Sequence, residues 1–212
     1  MGDYSPEQRA MLLSAGRILF PTPRFVRILH AAGKKTFPSA FAYSVQKSRL
    51  IQEVLFQFLE CPHPLTRIYY GRQKNSIVEN FSFPFRAMGP GMQHYPRLVS
   101  DGDDLRQVSE MYNPLIIQES LDYDERLRLV FVNCECAGVM GTIPGFFNRE
   151  IVLYLEKLLA SVQINDIAAE IGITRRGWRL IELARPPVSW STPDGLTGRF
   201  GHISRLIESG RF

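Results

Sequence analysis

The chain has 212 residues, of which 45% are hydrophobic and 22% charged, and its net charge is +4. These values suit one globular domain, or one domain with a small subdomain, long enough to bury its own core. They exclude two classes: no apolar run approaches the roughly 18 residues that span a bilayer, and Lys and Arg are dispersed as on a solvated basic surface rather than gathered into a nucleic-acid face.

In chain order, MGDYSPEQRAMLLSAGR lacks the basic start and long apolar stretch of a secretory signal. Pro6 also stands where a myristoylation motif beginning at Gly2 requires Ser or Thr. Residues 6–16 read as a short helix, and residues 21–43 as a helical piece with turns at Gly33 and Pro38. In KSRLIQEVLFQFLE, residues Leu50, Ile51, Val54, Leu55, Phe58 and Leu59 recur at helical spacing. This predicts a helix over 47–60, with Ser44 as N-cap and Pro62 beyond its end. Residues 65–70 and 83–88 read as strands. The Gly/Pro-rich GPGMQHYP follows, then a short strand RLVS, a helix over 102–112 and a buried-type strand over 114–119.

Residues 127–133 and 135–142 form a predicted strand pair with a turn at Asn133. Cys134 and Cys136 would then share one side of a strand. Together with Cys61 they make an odd count with no CxxC, which argues against a disulfide framework or structural zinc site and fits the cytoplasm. A helix covers 149–162. Residues 166–173 alternate, with Ile167, Ala169, Ile171 and Ile173 on one face and Asp166, Glu170 and Gly172 on the other. TRRG is a turn, and 178–184 the partner strand. Elements mixed without strict strand–helix–strand repetition imply an α+β or α/β fold rich in antiparallel sheet.

With the turn centred on Arg176, Glu170 sits opposite Glu182 on one face of this hairpin. Like charges so placed repel, and a divalent cation would relieve them. A one-residue register shift, or a charged face open to water, is the competing reading. Without a full ligand set the pair would lean on an arginine such as Arg128, or share a proton.

The hairpin DIAAEIG…GWRLIELARPP resembles the metal-binding hairpin of the ATP-grasp family, in its RimK-like branch of carboxylate–amine ligases. The resemblance covers residues 20–208 and implies two subdomains whose antiparallel-rich sheets flank a cleft. Residues 1–40 would be an N-terminal extension, 63–118 the small lobe, and the rest of 41–212 the large lobe. It implies ATP and Mg²⁺ as cofactors, with Glu170 and Glu182 as metal ligands. Lys47, in YSVQKSRLIQEVLFQFLECPHP, matches a phosphate-binding lysine. In PLIIQESLDYDERLRLVFVN, the hinge Gln118, Glu119 and Ser120 would face adenine, Asp122 or Asp124 ribose, and Arg128 matches a catalytic arginine.

The chain departs from the family pattern at three places. Met88 stands at a second phosphate lysine, with Arg86 two residues before it. The Gly-rich loop keeps only Gly89 and Gly91, and Ala184 replaces a metal-binding Asn. The substrate-binding insertion is cut to GTIPGFF. These departures point to a degenerate domain with weak or absent nucleotide binding, serving a regulatory or scaffolding role. The alternative is an active ATP- and Mg-dependent ligase. The acceptor substrate or protein partner is not legible, and homo-oligomerisation stays open. Bland readings accompany each residue: Lys47 as a solvated lysine, Arg128 paired with Glu119 or Asp124, Arg86 and His94 on the surface, His63 in a turn, Trp178 and Trp190 in packing.

Overall fold

The computed structural model describes residues 5–92, 95–140, 149–187 and 198–212; His94, Trp190 and the GTIPGFF stretch lie outside the described residues. The chain begins with α1 (Pro6–Ser14), β1 (Arg17–Leu19), α2 (Phe25–Ala31) and β2 (Lys35–Phe37). β1 and β2 pair in parallel, with Arg17 beside Lys35. Strands of three residues are too short to show alternation, so this pair was not legible in the sequence. Phe37 packs with Val132, Ile203 and Leu206, fastening the segment to the rest of the domain.

Next come α3 (Ala40–Val45) and α4 (Arg49–Phe58), where the sequence suggests one helix begun at Ser44. The cap is Ser48, whose hydroxyl accepts from the Ile51 amide. Ser44 lies inside α3 and donates back to the Ala40 carbonyl. The break between the helices is pinned from outside: Ser48 bridges to Gly91, and the Leu50 amide donates to the Pro90 carbonyl. A contact 40 residues away therefore decides where α4 starts, and Lys47 precedes the helix rather than opening it.

A four-stranded antiparallel sheet follows, built from β3 (Thr66–Tyr69), β4 (Phe85–Met88), β5 (Arg97–Val99) and β6 (Leu115–Glu119) in the order β3-β6-β4-β5. α5 (Ile77–Asn80) and α6 (Gly102–Met111) accompany it. Asp101 caps α6 by accepting from the Asp103 and Asp104 amides. Phe85, Ala87, Leu115 and Ile117 face a core shared with Tyr69, Ile77, Phe81 and Val108. By alternation Thr66, Arg86, Met88, Ile116 and Gln118 occupy the other face.

The second antiparallel sheet, also four-stranded but with longer strands and so the large sheet of the two, runs β10-β9-β7-β8, from β7 (Glu125–Val132), β8 (Glu135–Met140), β9 (Asp166–Thr174) and β10 (Gly177–Ala184). α7 (Arg149–Ser161) precedes β9, and α8 (Gly198–Glu208) closes the chain order. Leu127, Leu129, Phe131, Ile167, Ala169, Ile171, Leu180 and Leu183 bury one face against α3, α4 and α7. Each large apolar side chain so buried contributes about 1.5–3 kcal/mol. Trp178 packs on this core, edge-on to Tyr154 at 5.4 Å. The predicted strand pair is present as far as Met140, residues 141 and 142 lying outside the described residues, but Cys134 shares the turn with Asn133, both at positive φ, and is not on a strand beside Cys136. Burial pushes the Cys134 and Cys136 thiols up to about 11 and Cys61 up to about 12, which disfavours the nucleophilic thiolate. No helix among the described residues is long and apolar enough to cross a membrane.

Candidate functional site

The face of the large sheet turned away from its core carries the charges. Glu182 stands opposite Glu170, and on its other side Glu170 stands opposite Arg128. The register arises differently from a turn centred on Arg176. The two-residue turn at Arg175 and Arg176 joins Thr174 to Gly177, and the ladder shifts by one residue between Leu180 and Glu182. Ile181 is the bulged residue that brings Glu182 into line.

Each carboxylate holds its own guanidinium. Arg49 donates to Glu182 at 3.0 Å, and Arg128 donates to Glu170 at 3.0 Å, with Arg126 at 3.6 Å. Arg49 is 5% exposed at its side chain, whereas Arg128 and Arg126 are about two-fifths exposed. Arg128 thus pairs with neither Glu119 nor Asp124. Arg126 also lies over the Tyr123 ring at 4.8 Å, and that ring covers Gly172 so closely that a Cβ there would meet it at 2.2 Å. Burial pushes the Tyr123 hydroxyl up, against the opposing pull of nearby Arg86 and Arg126.

The small sheet, β3-β6-β4-β5, carries several of the other predicted residues. Arg86 is half-buried on β4, and Met88, two residues on, is fully buried. Gln118 pairs with Thr66 and Arg86 across β6, its side-chain amide donating to Thr66 Oγ1 at 3.2 Å. The Glu119 amide donates to the Leu65 carbonyl at 2.9 Å, and its carboxylate accepts from the Leu65 amide at 2.7 Å. That amide is therefore spent within the sheet. Ser120 is half-buried; Asp122 and Asp124 are exposed, and the Asp124 amide donates to the Ile173 carbonyl. Lys47 is exposed, and its carbonyl accepts from the Met92 amide, which sets the lysine against the shortened Gly89–Gly91 loop. His63 is a turn residue, its Nδ1 bonded to the Cys61 carbonyl at 2.8 Å.

Sequence reasoning missed Arg49 and Glu53. Glu53 is 1% exposed, and neither of its oxygens has a hydrogen-bond partner. The Thr66 hydroxyl beside it donates instead to the Pro64 carbonyl at 2.9 Å. Burial pushes the Glu53 carboxyl up to about 7, against the pull of the Arg49 guanidinium one helical turn away. The i, i+4 Arg–Glu spacing was the available signal, but it is common on solvated helix faces.

Magnesium wants about six oxygens in octahedral array. The chain offers Glu170 and Glu182, both ion-paired with arginines, and Ala184 where a third oxygen is needed. Among the described residues no group of three or more His, Cys, Asp or Glu gathers as a ligand set. This donor set does not fit an ion held by the protein itself.

No protein-family model and no curated protein matches the sequence. Solved structures do match. A RimK domain ATP-grasp protein from Sphaerobacter thermophilus superposes with a TM-score of 0.65 at 16% identity, over 80% of this chain and 72% of its own. N5-carboxyaminoimidazole ribonucleotide synthetase from Thermotoga maritima gives 0.63 at 15%, over 84% of this chain but 54% of its own. The ATP-grasp ligase PsnB, solved with a precursor peptide and AMPPNP, gives 0.58 at 14%, over 76% and 56%. The chain thus spans little more than half the length of the latter two. At these identities the likeness is one of backbone architecture, and it agrees with the two antiparallel sheets and the hairpin of acids: this chain has the ATP-grasp fold.

Proposed function

We propose that this chain is a degenerate ATP-grasp domain of the RimK-like branch, with weak or absent nucleotide binding, acting as a regulatory or scaffolding partner. The observation that carries the reading is the engagement of both acids by arginines, with the buried Arg49 on Glu182 and Arg128 on Glu170. Phosphoryl transfer in this fold rests on cations and metal ions that neutralise charge in flight. Here Met88 replaces one cation, Ala184 removes one metal ligand, and the acids are already neutralised. Loss of each preorganised donor slows such chemistry by about 10²–10³-fold.

A second reading, an active ATP- and Mg-dependent carboxylate–amine or thiol ligase, is favoured by the exposed Lys47 held against the Gly91 loop. Arg86, Arg128 and the 118–120 hinge would then serve the nucleotide, with Asp122 or Asp124 toward ribose. A thermal melt with millimolar MgATP separates the two. The degenerate reading expects little or no rise in Tm, since ligand stabilises only as RT ln(1 + [L]/Kd). A rise of several degrees that Lys47→Ala removes overturns it in favour of the ligase.

A further inference from the structure

At the opposite end of the large sheet from the acid pair, a cavity of about 500 Å³ opens beside the β7–β8 turn. It lies five residues along β7 from Arg128, roughly 16 Å by strand rise. Its walls come from the β1–β2 pair, the α7–β9 connection and the turn at Asn133 and Cys134. Its basic lining is Arg17, Lys34 and Lys35, with His30 beside them, and among the described residues no acid lines it. The neighbouring acid, Glu135, is closed by Arg211 at 2.7 and 2.8 Å. Parallel register sets Arg17 directly beside Lys35, so two like charges stand side by side across the pair.

The frame behind these cations is rigid. Asn165 accepts from the Ser39 amide at 2.7 Å and donates to the Thr36 carbonyl at 2.9 Å, while the Asn133 amide donates to the Asn165 carbonyl at 2.7 Å. Asn133 in turn holds the Arg17 guanidinium at 3.0 Å. Cys134 (φ 65°) and Gln163 (φ 56°), both at the rim, occupy left-handed backbone that side chains of their type seldom adopt. Strained residues of this kind persist where surroundings over-determine them, and they gather at ligand sites.

From this geometry we infer a ligand site away from the acid pair, one that binds the dianionic headgroup of a small phosphate monoester. Charge decides the class. Three formal cations and a histidine exceed what one carboxylate balances, whereas a phosphate dianion offers two charges and three acceptor oxygens. Arg17 engages Asn133 with one of its five donors and Lys34 engages the Leu13 carbonyl with one of its three, so both retain donors for the ligand. The volume falls within the range of small-molecule sites, and leaves room for an organic group beyond the phosphate.

The test is titration of the full chain, without magnesium, with inorganic phosphate, a ribose phosphate and AMP, read by calorimetry and thermal shift. The expected result is saturable binding, weakened about tenfold by Lys35→Gln and about a hundredfold by Lys34→Gln with Lys35→Gln, the size of one charge-assisted bond per charge removed. Lys35 is exposed, so its variant tests the site without threatening the fold. Lys47→Ala should leave this binding unchanged. Tighter binding of the esters than of phosphate places an organic phosphate in the cavity; equal binding assigns the site to free phosphate. No binding of any probe at millimolar concentration, or binding indifferent to Lys35→Gln and to the double change, overturns the inference.

Discussion

Glu182 faces Glu170 across the β9–β10 hairpin because one residue, Ile181, is bulged out of the ladder. Without the bulge, the regular register from Leu180 opposite Ile171 would set Ile181 opposite Glu170 and turn Glu182 toward the apolar core. The bulge thus puts a second carboxylate on the charged face, where Arg49 and Arg128 meet the pair.

The Arg49–Glu182 pair should show strong coupling. Arg49→Leu removes the cation from a nearly closed site and leaves Glu182 and Glu53 uncompensated. A loss of about 3–5 kcal/mol in urea denaturation is expected. Glu182→Gln alone should also destabilise, the reverse of what a bare pair of repelling acids would do. Combined with Arg49→Leu it should recover part of the loss. Strictly additive effects would show that the two side chains do not interact in solution.

Glu53 gives a pH signature. Its folded pKa is raised to about 7 from 4.5, so the folded state holds its proton more tightly than the unfolded chain. This group therefore costs nothing below about pH 4.5, and its cost grows as pH rises toward 7 and is complete above it. Glu53→Gln should stabilise the protein at pH 8 by up to about 3 kcal/mol and have little effect at pH 4. Equal effects at both pH values would contradict the buried, unpartnered carboxyl.

Met88→Lys restores a cation at the position the resemblance assigns to phosphate. Met88 is fully buried, so the ligand-free variant should lose about 3 kcal/mol or more. If the cleft retains a nucleotide site, MgATP should return part of that loss in a thermal melt. If MgATP does nothing for the variant, the defect extends beyond the missing lysine.

Gly172→Ala tests the lid formed by Tyr123. The added methyl would meet the ring at 2.2 Å and Ile181 Cδ1 at 2.9 Å, so the ring must leave its place under Arg126. A destabilisation of about 1–3 kcal/mol by chemical denaturation is expected. No change would mean that Tyr123 rests loosely on the sheet.

Periodicity alone determined much of this protein. The helix found at Arg49–Phe58, the strand pairs at Glu125–Met140 and Asp166–Ala184, and the inward set Ile167, Ala169 and Ile171 followed from spacing, because an amphipathic segment must turn one face to the core whatever surrounds it, although Val54 and Phe58 of the helix's apolar stripe are exposed and Arg49, Gln52 and Glu53 are buried instead. The opposition of Glu170 and Glu182 was legible too, although the turn lay half a residue from where it was placed and a bulge made up the difference. Tertiary structure decided the rest. The cap moved from Ser44 to Ser48 because a loop from β4 clamps the break at Ser48 and Leu50. Arg49 became the partner of Glu182, and Glu53 a buried acid, because α4 crosses to the edge of the charged face. The basic cavity joins Arg17 to Lys35 and Asn133, residues up to 116 apart in the chain. Periodicity reports which way a side chain points along its own element; which charge meets it depends on contacts between elements, and those carry no local spacing.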